Sequence, residues 1–157
     1  MIDGKTDFTK MKNIIFVCTG NTCRSPMAEG LMKKFLSEKN IGDVDIFSRG
    51  ISVFDGSHAS ENSVLAIKKY GVDLSSHRAK LLTFEEINSA DLILTMSEGH
   101  KNAILSSFPE YKEKIFTIYK FAFNEDRDIS DPFGGSIEVY EKCLDEIYKC
   151  LKEIVDR

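Results

Sequence analysis

Apolar residues are distributed along this chain in two rhythms. Some form short, nearly unbroken runs: Ile14-Ile15-Phe16-Val17 after Asn13, Leu92-Ile93-Leu94 within residues 90–96, and Ile115-Phe116 within residues 114–118. Runs of this length predict strands buried on both faces. Residues 44–48, Val44-Asp45-Ile46-Phe47-Ser48, alternate enough to predict a further strand. Elsewhere apolar residues recur every three or four positions. Leu31, Met32 and Phe35 mark a helix over 26–36, and Val64, Leu65 and Ile67 mark one over 61–70. Ile137, Tyr140, Leu144, Ile147, Leu151 and Ile154 form the stripe of a long amphipathic helix ending near Val155. Four strands alternating with helices predict a single-domain α/β fold, a four-stranded parallel sheet with helices on both faces. Residues 13–48 read as a βαβ unit with a right-handed crossover.

Boundary residues sharpen these elements. Pro26 suits a first helical position, where a missing N–H is harmless. Ser60 is placed to cap the 61–70 helix and Gly71 to close it. Thr83 and Glu86 have the spacing of a capping box. Ser97 starts a helix running to about Ser107. Residues 1–12 are polar and without periodicity, and are expected to form a flexible tail before a domain at 13–157. Residues 119–135 carry little periodicity and predict a long loop, a feature that in a compact domain is either functional or unstructured.

Composition narrows the classes. The 157 residues are 42% apolar and 29% charged, ordinary for a soluble globular domain. A formal net charge of −4 argues against a nucleic-acid partner. No apolar run approaches the roughly 18 residues of a membrane span, and no signal peptide is expected before the first strand. The four cysteines and three histidines match no zinc spacing, so neither a metal nor another cofactor is expected.

The chemistry concentrates between the first strand and the first helix, in Cys18-Thr19-Gly20-Asn21-Thr22-Cys23-Arg24-Ser25-Pro26. Backbone N–H groups of a short loop closing onto a helix N-terminus form a concave anion site. Arg24 can grip two oxygens of a tetrahedral anion with its planar fork. Cys18, at the loop's first position, sits where these groups favour a thiolate. Ser25 can donate its hydroxyl to that sulfur.

The run from Cys18 to Glu29 resembles the phosphate loop of low-molecular-weight protein tyrosine phosphatases, and the resemblance covers residues 12 to 155. It implies a flavodoxin-like strand order, 2-1-3-4, with the loop at the carboxyl ends of the strands near a switch point. It also implies a cytoplasmic, monomeric protein phosphatase with Cys18, Arg24 and Asp131 catalytic. Thr19, Gly20, Asn21, Thr22, Cys23, Ser25 and Phe133 would bind substrate. Cys18 would attack phosphorus, the loop and Arg24 would hold the equatorial oxygens, and Asp131 of Asp131-Pro132 would act as general acid and then base. Asp126 and Asp128 are also available, and only the resemblance selects Asp131. His77 would brace Asn21, and Ser25 would help hold the loop. A reversible Cys18–Cys23 disulfide would guard the nucleophile.

Thr22 stands where the tyrosine-specific branch usually carries a bulky aliphatic residue. With Asp131-Pro132-Phe133-Gly134-Gly135, it resembles the protein-arginine phosphatase branch, which implies phosphoarginine proteins as substrates and a role in stress response. A tyrosine phosphatase is the alternative. Thioredoxin-linked arsenate reductase is a remote one, because residues 24–142 contain no cysteine and Cys143 and Cys150 lie on the last predicted helix.

Overall fold

The computed structural model describes residues 7–157. Four parallel strands, β1 (Asn13–Cys18), β2 (Asp45–Gly50), β3 (Leu92–Thr95) and β4 (Ile115–Thr117), form one sheet in the order β2-β1-β3-β4. The helices are α1 (Arg24–Glu38), α2 (Glu61–Ile67), α3 (Phe84–Ser89), α4 (Glu98–Ser107), α5 (Ile118–Phe123) and α6 (Ile137–Asp156). The α/β class and the strand order agree with the sequence expectation.

The period of two in β1 builds both layers. Ile14, Phe16 and Cys18 face a core shared with α1, α2, α5 and α6. Ile15 and Val17 face the opposite side, where Ile87 of α3 and Ile104 of α4 pack. The chain leaves β1 for β2 on one side and later returns to β3 on the other. The carboxyl end of β1 is therefore a switch point, where a crevice opens beyond the strands.

Several boundaries differ from the sequence reading. Helix α1 begins at Arg24 rather than Pro26. Strand β2 runs two residues beyond Ser48, to Gly50, because Gly50 pairs with Cys18. The helix predicted over 61–70 is α-helical to Ile67 and tightens to a 3-10 turn at Lys68–Tyr70, closed by Gly71 at φ 74°. Ser60 makes no side-chain bond to the α2 backbone; its hydroxyl meets Ser63 Oγ at 2.7 Å. Residues 119–135 are not loop throughout, since Ile118–Phe123 form α5. Thr117 caps that helix by accepting from the Lys120 N–H, and Asn124 ends it at φ 57°. Six residues are too few to register a helical period. The capping box at Thr83 and Glu86 and the Ser97 cap both form. Of the expected tail, residues 1–6 lie outside those described. Phe8–Lys10 form a 3-10 turn, with Phe8 against the core and Met11 buried.

Candidate active site

The loop from Cys18 to Ser25 turns its carbonyls to the scaffold. The N–H of Ile51 donates to Cys18 O, that of Ser52 to Thr19 O, and that of Ser60 to Thr22 O, at 2.9–3.1 Å. His77 Nε2 meets Asn21 O at 2.7 Å. In a trans peptide the C=O and N–H point oppositely. The N–H groups paired with those carbonyls therefore face the other way, into a cleft of about 220 Å³. Cys18, Thr19, Gly20, Thr22 and Cys23 line this cleft from the loop, and Arg24, Asp131 and Phe133 complete it.

Asn21 shapes the turn. It sits at φ 58°, in the left-handed region that asparagine tolerates better than most residues. Its side chain is fully buried, with Oδ1 accepting from the Lys80 N–H at 3.0 Å and Nδ2 donating to Ser25 Oγ at 2.8 Å. Ser25 Oγ lies 2.9 Å from Cys18 Sγ. The Asn21 amide occupies an acceptor position of Ser25, whose hydroxyl proton has two acceptors in reach, Cys18 Sγ at 2.9 Å and Arg49 O at 3.4 Å. The side chains of Asn21 and Ser25 thus lie behind the cleft rather than on its wall. Gly50 closes the back. A Cβ there would stand 2.5 Å from Thr19 O and 3.1 Å from Asn21 N, so β2 reaches the loop only because residue 50 has no side chain.

Arg24 is 5% exposed. Its Nη1 donates to Ile129 O at 2.8 Å, Nη2 stands 3.7 Å from Asp131 Oδ2, and Nε has no protein partner. A buried guanidinium edge on the cleft wall, with a donor not used by protein, suits a tetrahedral anion. Of the three candidate acids, only Asp131 borders this cleft. Asp128 Oδ1 accepts from the Glu98 N–H at the start of α4, and Asp126 pairs with Lys120. Asp131 Oδ1 accepts from the Phe133 N–H at 3.1 Å, a local turn that carries the acid half-exposed and the Phe133 ring 75% exposed beside it. A thiol, an anion cradle and a carboxyl group on one cleft can support nucleophilic displacement at phosphorus with proton transfer to the leaving group.

Residues 13–157 match the family model described as low molecular weight phosphotyrosine protein phosphatase. The chain belongs to this family. As a member it is a cysteine-dependent phosphatase. It is 44% identical over 144 residues to a protein-arginine-phosphatase of Geobacillus stearothermophilus, covering 92% of this chain and 91% of the relative. It is 39% identical over 142 residues to a protein-arginine-phosphatase of Bacillus subtilis, covering 90% and 93%. A solved structure of the YwlE arginine phosphatase, a cysteine-to-serine mutant with a phosphorylated active-site serine, superposes with a TM-score of 0.87 at 38% identity, over 91% of this chain and 93% of that one.

Within this phosphatase, both loop thiols are free. Cys23 Sγ donates to Ser60 Oγ at 3.4 Å and meets Tyr140 OH at 3.3 Å, so α6 reaches the loop through a tyrosine that the sequence presented only as core. Thr22 is half-buried, its Oγ1 3.7 Å from Cys23 Sγ. Cys143 and Cys150 are buried, and burial pushes both thiols up to about 12, which keeps them protonated core groups. Among the described residues, no three His, Cys, Asp or Glu side chains are placed to hold a metal ion, and no helix is long and apolar enough to cross a membrane.

Two further residues escaped the sequence reading. Ile129 is fully buried and presents its carbonyl to Arg24. His100 is 5% exposed and bonded to Thr19. Each contact spans more than eighty positions of sequence, and no local pattern signals it.

Proposed function

We propose that this phosphatase removes the phosphoryl group from phosphoarginine side chains of proteins, by way of a cysteinyl phosphate, in the cytoplasm. The observation that carries the arginine assignment is Thr22, which lines the same cleft as Asp131 and Phe133. The naming of the two bacterial relatives supports it. In the first step the Cys18 thiolate attacks phosphorus in line and the P–N bond breaks. Its electron pair stays with the guanidine nitrogen, which takes the proton of Asp131. Loop N–H groups and Arg24 hold the equatorial oxygens throughout. In the second step Asp131 takes a proton from water, the water oxygen attacks phosphorus, and Cys18 leaves as thiolate. The products are an arginine side chain and inorganic phosphate. A hydroxyl at position 22 meets a polar guanidinium without the apolar bulk that suits an aryl ring, and it can orient the attacking water. The Asp131 carboxylate matches a cationic leaving group, and the Phe133 face can stack on its plane.

A phosphotyrosine substrate is the second reading, and the description of the matching family, low molecular weight phosphotyrosine protein phosphatase, is what favours it. Matched phosphoarginine and phosphotyrosine peptides decide between them. Phosphate release is measured near neutral pH, because the P–N bond is acid-labile, with Cys18→Ser as the blank. Preference for phosphoarginine, reversed by Thr22→Ile, is the expected result. Faster release from phosphotyrosine would overturn the arginine assignment and leave the two-step chemistry standing.

A further inference from the structure

His100 lies on the first turn of α4, 81 positions from the residue it touches. Its Nε2 stands 2.9 Å from Thr19 Oγ1, and its Nδ1 stands 2.9 Å from Ser97 Oγ. Ser97 Oγ also accepts the main-chain N–H of His100 at 3.2 Å. Ser97 Oγ keeps its own proton to give, and Nδ1 is the side-chain acceptor within reach of it. An imidazole that accepts at Nδ1 carries its proton on Nε2. Nε2–H then donates to Thr19 Oγ1, and the Thr19 proton is left free. Thr19 borders the cleft next to Cys18.

We propose that His100 is a positioning residue of this site, one that fixes the Thr19 hydroxyl so that its proton points at an oxygen of the bound phosphoryl group. The proposal rests on the reading that residues 18–25 hold that group. The ring must stay neutral, because an imidazolium would donate at both nitrogens and break the Ser97 arrangement. Burial, and then the charge of Arg24 on α1, hold it neutral by lowering its pKa from 6.5 to about 4, against the opposing charges of Asp128 and Asp131. No residue-type motif in the sequence marks this pair.

The test uses His100→Ala, His100→Gln, Thr19→Val and the Ala/Val double variant, assayed on an aryl phosphate at neutral pH with thermal unfolding followed in parallel. Removing a direct oxyanion donor costs roughly 10²–10³ in kcat, so Thr19→Val is expected to lose about that much and His100→Ala, which leaves the hydroxyl present but unpositioned, roughly 10–100-fold, with KM little changed. The double variant is expected to be no slower than Thr19→Val alone, because His100 acts only through the Thr19 hydroxyl. Gln, which can present an N–H to Thr19, should restore most of the rate. Nitrogen NMR of the wild-type protein reads the tautomer without any variant that must fold, and Nε2–H is expected. Full kcat in His100→Ala, additive losses, or an Nδ1–H tautomer would each overturn the proposal. An aryl phosphate is hydrolysed whichever protein substrate is right. Failure of the phosphoarginine assignment would therefore leave this result intact, and the reverse also holds.

Discussion

His77 Nε2 and the main-chain oxygen of Asn21 are 2.7 Å apart, and this bond joins two residues 56 positions distant at the tightest point of the loop. Asn21 holds φ 58° there while its side chain serves Lys80 and Ser25. His77→Ala leaves the Asn21 carbonyl without its partner, which costs about 1–3 kcal/mol. For a domain of this size, about 2–4 °C of Tm is expected per kcal/mol. Activity should fall further than stability, since the loop that relaxes is the one that cradles phosphate. A loss of Tm with unchanged kcat would show that the loop keeps its shape without the imidazole.

Gly50→Ala is expected to be more damaging than a surface glycine change. The added methyl would press on Thr19 O at 2.5 Å and on Val53 Cγ2 at 2.4 Å. The valine can shift, but the loop backbone can move only by spoiling the cleft. Overpacking of this kind costs about 1–3 kcal/mol. Weaker inhibition by vanadate, measured beside kcat, would locate the damage in the cradle. Gly42→Ala is the control, because nothing lies within 4 Å of a Cβ there.

Ser25→Ala separates the two chemical steps. Ser25 Oγ stands 2.9 Å from Cys18 Sγ, near enough for its proton to turn from Arg49 O, at 3.4 Å, to the sulfur when the sulfur carries charge. That charge returns when Cys18 leaves phosphorus. Hydrolysis of the cysteinyl phosphate should therefore slow more than its formation. Rapid-quench kinetics on an aryl phosphate are expected to show a burst of phenol followed by a slower steady state. An unchanged ratio of the two rates would mean that the serine serves only the fold.

The stability of the protein should fall as pH drops from about 6.5 toward 4. The folded state holds His100 neutral to about pH 4, whereas in the unfolded chain it protonates near 6.5. The unfolded state binds the extra proton in that window, so stability rises with pH across it. The contribution is up to about 3 kcal/mol. Three charged groups outside α4 act on the ring, the Arg24 guanidinium lowering its pKa and the Asp128 and Asp131 carboxylates opposing it. Denaturant unfolding of wild type and His100→Gln at several pH values checks this. The wild-type curve should be steeper by up to one proton between pH 6.5 and 4.

What the sequence made legible was local. A strand buried on both faces at residues 13–17, a capping box at Thr83 and a left-handed Gly71 each depend on neighbours a few positions away. The Cys18–Pro26 run was legible because a nucleophile, a guanidinium and a helix start fall within nine residues. Ser60 was misread for the opposite reason. Its hydroxyl is drawn to Ser63 and Cys23, and no rule of cap preference contains a thiol 37 positions away. Gly50 fell beyond the strand expected at 44–48, because the carbonyl that forbids a side chain there belongs to Thr19 on another strand's end. Helix α5 was hidden by its length, and His100 by lying 81 residues from Thr19.

Arg24 also clamps the segment that carries the acid. Its Nη1 holds Ile129 O, the Ile129 N–H donates to Met96 O at 2.9 Å, and Asp128 holds the start of α4. The Asp131 carboxyl group is thus docked on the frame before any substrate arrives, two residues from a fixed carbonyl. Substrate encounter need not fold a lid, and none of its binding energy is diverted to ordering one. A site assembled in advance can accept a modified side chain from many different proteins, since it asks nothing of the sequence on either side.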